Sequence, residues 1–101
     1  MTRFLNSTSI KTFQKNVTTS GTPVQLTDLS VPDGVKVTIK AKVANTGTIT
    51  IGGSSADSLN TGTSFFKLRS GESIGLQVTN PNVIWIDATV SLEGVECLLE
   101  Y

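Results

Sequence analysis

Histidine is absent from this sequence of 101 residues, and with it the commonest general base, the usual zinc ligand and the side chain that changes charge near neutral pH. Catalytic triads built on histidine are excluded outright. Cysteine occurs once, at Cys97, so no disulfide can form within the chain, and the fold must rest on its core and its hydrogen-bonded ladders. A reducing, intracellular birthplace is the expectation. Charge is scarce as well: charged residues make up 16% of the chain, and the eight basic and eight acidic ones cancel. No global field therefore draws the molecule to nucleic acid or to an anionic membrane, and little self-repulsion keeps copies apart. No apolar run approaches a membrane span. The stretch Met1 to Ser9 has one basic residue and no continuous apolar run after it, so it does not read as a secretory signal.

What the chain does contain is 38% hydrophobic residues set among Thr, Ser, Asn and Gly. The length suits a single domain. Val35, Val37, Ile39, Ala41 and Val43 alternate with Lys36, Thr38, Lys40 and Lys42, the period of a strand with one face in a core. Pro32-Asp33-Gly34 before it and Asn45-Thr46-Gly47 after it are turn chemistry. Further short strands are expected over 13–19, 24–29, 48–51, 64–69, 73–78, 83–88 and 95–101, separated by segments rich in Gly, Pro, Asn and Ser. About eight short antiparallel strands with no helical period predict an all-β fold, a β-sandwich or barrel. The one helical candidate, Ala56-Asp57-Ser58-Leu59, is too short to contribute. Residues 1–11 read as an N-terminal arm ahead of a domain over 12–101, and 52–63 as a loop long enough to carry a contact surface.

No constellation for chemistry emerges. Asp87, Glu93, Glu96 and Glu100 are the late carboxylates, but nothing beyond Trp85 would grip a substrate. Asp57 is alone in its loop, so no calcium site is expected, and Gly52-Gly53-Ser54-Ser55 lacks the Gly-Lys ending of a phosphate loop. No cofactor or metal is predicted. Cys97, in register with Val95 and Leu99, reads as a small buried apolar residue. Lys36, Lys40 and Lys42 form a candidate polar contact face, which also guards against stray strand pairing. Phe65 and Phe66 are adjacent and must face opposite sides of a strand. Val83 to Ile86 is apolar on both sides, which predicts cover by the fold itself or by a neighbouring subunit. The candidate interface residues are Phe4, Leu5, Ile10, Phe65 and Trp85.

The stretch Val24-Gln25-Leu26 through Val31-Pro32-Asp33-Gly34, Val37 to Lys42 and Asn45 to Gly52 resembles small structural proteins of tailed bacteriophages. So do Leu68-Arg69-Ser70-Gly71-Glu72-Ser73 and Ile84-Trp85-Ile86-Asp87-Ala88 in the second half. The resemblance implies a jelly-roll-like sandwich in a virion component made in the host cytoplasm, commonly a head decoration or cement protein. Its partners would be the major capsid protein or other virion proteins, and it would be a homo-oligomer, with a trimer favoured. An N-terminal arm would grip neighbouring subunits by strand addition. A different class is a carbohydrate-binding or adaptor module of a fibre, collar or tail, with Trp85, Phe65 or Tyr101 stacking on sugar rings. A small hydrolase using Asp87 or Glu96 is a third class, for which no activity is expected.

Overall fold

The computed structural model describes residues 9–62 and 66–100. The chain runs β1 (Ile10–Asn16), β2 (Val24–Gln25), β3 (Val37–Ala41), β4 (Ile49–Gly52), a one-turn helix α1 (Ser55–Ser58), β5 (Lys67–Leu68), β6 (Ser73–Leu76), a 3-10 turn (Pro81–Val83), β7 (Trp85–Ala88) and β8 (Gly94–Glu100). All eight expected strands are present, several of them shorter than the sequence patterns.

β1 pairs with β8, β2 with β7, β3 with β6 and β4 with β5, all antiparallel. Further ladders join β3 to β8 and β4 to β7. The result is two four-stranded sheets, in the orders β1-β8-β3-β6 and β2-β7-β4-β5. The first four strands thus fold back on the last four, each pairing antiparallel with its counterpart.

Alternation decides which residues enter the space between the sheets. In β3 the side chains of Val37, Ile39 and Ala41 are buried; in β8 those of Val95, Cys97 and Leu99 are, and Ile49, Ile86 and Ala88 meet them from the second sheet. Each large aliphatic contributes about 1.5–3 kcal/mol by leaving water, set against the entropy of ordering the chain. Cys97 belongs to this core, and burial pushes its thiol pKa up to about 12, so it stays an unreactive thiol.

Gly94 opens β8 because only glycine fits there. A Cβ would collide with the Lys15 carbonyl oxygen and the Asn16 backbone of β1.

Some boundaries depart from the sequence reading. β1 starts at Ile10, so Ile10 and Lys11 belong to the sheet and not to an arm; residues 1–8, with Phe4 and Leu5, lie outside the described residues. β2 keeps two residues because, past the Leu26 N–H to Ile84 carbonyl bond, the side chain of Asn80 takes over the pairing: its Oδ1 accepts the Leu29 N–H at 3.0 Å. Val83 falls in the 3-10 turn instead of in β7.

Candidate functional site

The two sheets differ in what lies on their outer faces. On the second sheet the outward residues Thr50 of β4 and Asp87 of β7 sit opposite each other in the ladder, yet both are buried. The segment after β4 covers them. Ser54 caps α1 by accepting the Asp57 N–H at 3.1 Å, Asp57 accepts the Gly53 N–H, and the Thr50 hydroxyl donates to the Ser58 carbonyl. Gly52 lets the segment lie this close, since a Cβ there would come within 2.7 Å of the Asp57 and Ser58 backbone. The Asp87 carboxylate accepts three backbone N–H groups, from Gly21 at 3.1 Å, Asn60 at 2.8 Å and its own neighbour Ala88 at 2.8 Å. This carboxylate is committed to holding two loops in place, and a substrate has no path to it.

Two expectations change accordingly. The segment 52–63 does not project as a contact loop over its described part; it packs on its own sheet. The single helical turn is not negligible, because it seals Thr50 and Asp87. The segment's cover reaches Asp87 but not the outward side of the apolar run before it, where Trp85 is half-buried and Val83 exposed.

The outer face of the first sheet carries no such segment among the described residues. Opposite the buried side chains, β1 presents Ile10, Thr12 and Gln14, β8 presents Glu96, Leu98 and Glu100, and β3 presents Thr38 and Lys40. The ladders align them in rows across the strands. Thr12, Leu98, Thr38 and Gly75 form a central row, flanked by Gln14, Glu96, Lys40 and Ser73 on one side. Lys36 and Glu100 border the other side, lining a depression together with Thr38 and Leu98. The opposite depression, of about 650 Å³, has Thr12, Thr38 and Leu98 as its floor and Gln14, Glu96 and Lys40 as its wall. Leu98 is 42% exposed at the centre of the face and Ile10 is 63% exposed at its margin. Leu98 and, at the margin, Ile10 are the apolar residues of this otherwise polar face.

The sequence candidates distribute as follows. Lys36 and Lys40 lie on the bare face, and Lys42 reaches across it to donate to Asn16 Oδ1 at 2.8 Å. Ile10 lies on it too. Trp85 is on the other sheet, half-buried and paired with Gln25 and Gly52. Phe65 lies outside the described residues. Leu98 was not among the sequence candidates; its alternation with Cys97 and Leu99 is the signal that places it outward. At one end of the sandwich the turn between β7 and β8 is built on Leu92 with φ 70°, an uncommon conformation for a leucine, and its side chain is 70% exposed. Glu93 beside it binds the turn between β3 and β4, accepting the Thr46 N–H at 2.7 Å, the Thr46 hydroxyl at 2.9 Å and the Gly47 N–H at 2.9 Å. These bonds, the backbone one from Thr46 first, hold the Glu93 carboxyl below its ordinary pKa.

No group of three or more His, Cys, Asp or Glu side chains converges into a metal site among the described residues. Comparison with known protein families, with curated proteins and with solved structures finds no match.

Proposed function

We propose that this chain is a non-enzymatic structural protein of a tailed-phage particle, a capsid decoration or cement protein that works as a homo-oligomer against the major capsid protein or another virion protein. The observation that carries this reading is the bare outer face of the β1-β8-β3-β6 sheet, with Leu98 exposed at its centre between charges of both signs. A protein surface fits such a face, because an apolar anchor ringed by polar groups is what interface centres use. Net neutrality and the phage-like run of strands and turns support the same reading.

A sugar-binding fibre, collar or tail module would place aromatic rings on an open surface. Trp85 is half-buried on the opposite sheet, and among the described residues the aromatic one bordering the large depression is Phe13, which packs against the core. Cosedimentation of the purified protein with empty capsids of the phage that encodes it tests the proposal. Saturable binding, weakened by Leu98→Asp, is the expected result. Protein that stays in the supernatant while a glycan array retains it would shift the assignment to the fibre module.

A further inference from the structure

The charges on the bare face form two columns. Down β8 the outward residues read Glu96, Leu98, Glu100; beside them, on β3 and the residue before it, stand Lys40, Thr38, Lys36. Lys40 is the direct ladder partner of Glu96, and Thr38 that of Leu98. An acidic column thus runs alongside a basic one, one strand spacing apart, with the same centre.

We propose that this face binds a second copy of the chain, sheet against sheet, about a two-fold axis running parallel to the strands between β8 and β3. That rotation lays each β8 over the partner's β3. Glu96 then meets the partner's Lys40, Glu100 meets the partner's Lys36, and the two Leu98 side chains lie side by side at the centre. A two-fold axis across the strands would instead set Glu96 over Glu100 and Lys36 over Lys40, so the charge pattern selects the first arrangement. Each contact occurs twice, as an isologous interface requires. Sheets stacked in this way sit about 10 Å apart, a gap that Lys and Glu side chains span from both sides.

The arrangement is two-fold, unlike the trimer that the phage resemblance implies, and it occupies the face offered above to a virion partner, so the dimer and that contact exclude each other. Among the described residues the centre of the second sheet offers no equivalent surface, because 53–60 lies over Thr50 and Asp87 there. Four strands spaced about 4.8 Å apart and rising about 3.3 Å per residue give a footprint on the order of 20 Å by 20 Å, small for a stable complex. The dimer is therefore expected to be weak and transient.

The bland account of the same residues is that Lys40 and Glu96 simply pair across the ladder within one sheet. Mixing variants separates the two accounts. In sedimentation velocity at low salt, Lys40→Glu and Glu96→Lys each place like charges across the interface and weaken self-association at least about tenfold. An equimolar mixture of the two single variants restores it as a mixed dimer. In that dimer the carboxylate introduced by Lys40→Glu meets the ammonium introduced by Glu96→Lys, and the unaltered Glu96 of the first chain meets the unaltered Lys40 of the second. Pairing within one sheet cannot be restored by mixing, because each chain keeps its own mismatch. Both changes point outward, and circular dichroism of each variant should show the fold intact. A protein that stays monomeric up to about 1 mM, single variants that associate like the parent, or a mixture that does not recover would each overturn the proposal.

Discussion

The Asn60 backbone N–H donates to Oδ2 of Asp87 at 2.8 Å while its side-chain amide donates to the Ala88 carbonyl at 2.6 Å, so one residue of the covering segment is fastened twice to β7. Asp87 is wholly buried, and its other oxygen holds Gly21 of the β1–β2 turn. Replacing it strands several donors at once. Asp87→Ala should cost about 3 kcal/mol or more, and Asp87→Asn should cost part of that, because its amide nitrogen would face a backbone N–H that cannot accept. For a domain of this size the alanine variant should melt more than about 10 °C below the parent, measured by thermal circular dichroism.

Glu93 predicts an acid response. Its folded pKa lies below the ordinary 4.5, so its contribution to stability is fully present above that value and is lost as pH falls through the lower, folded pKa. Glu93→Gln removes that titration. Between about pH 6 and about pH 3 the parent should lose more stability than the glutamine variant, a difference readable from urea midpoints. Parallel pH profiles would show that the Thr46–Glu93 contact does not form.

Gly94→Ala forces a methyl into the Lys15 carbonyl oxygen, with backbone on both sides of the contact. The strands must separate locally. A loss of about 2 kcal/mol or more is expected, with hydrogen exchange accelerated first along β1, whose one ladder among the described residues is to β8.

Leu92 predicts a gain. Its positive φ costs a leucine about 1 kcal/mol, and its exposed side chain returns little by burial. Leu92→Asn, which tolerates the left-handed turn, should raise stability by about 0.5–1 kcal/mol in chemical denaturation. A stability loss would mean that the leucine packs more closely than its exposure indicates.

The alternation of Val35 to Ala41 and the Gly-, Asn- and Pro-rich turns made the strands legible, because period and punctuation are local properties, although Val43, expected on the core side, lies beyond β3 and is exposed. The strand ends were not, since β2 stops where a distant side chain, Asn80, takes over its pairing. The covering segment escaped notice for a related reason. Ser54 to Asn60 offers no apolar periodicity, and what anchors it are polar groups of other strands, the Thr50 hydroxyl, the Asp87 carboxylate and the Ala88 carbonyl. That Asp87 interrupts Ile84-Trp85-Ile86 was the available clue, and it reads equally as an acid in a cleft or as a buried tether. The bare face was half visible: the lysines stood out in β3, but the matching glutamates and Leu98 become their neighbours only once β8 is laid against β3.

The pairing of β1 with β8 has a kinetic side. During synthesis β1 has no partner in β8 until Glu100 has been added, because Ile10 lies opposite Glu100. β2 waits almost as long for β7, whereas β4 and β5, closest in sequence of the paired strands, can pair earlier. Loop-closure entropy therefore predicts that pairing starts at β4 and β5 and works outward, with β1 the last of these strands to find its partner.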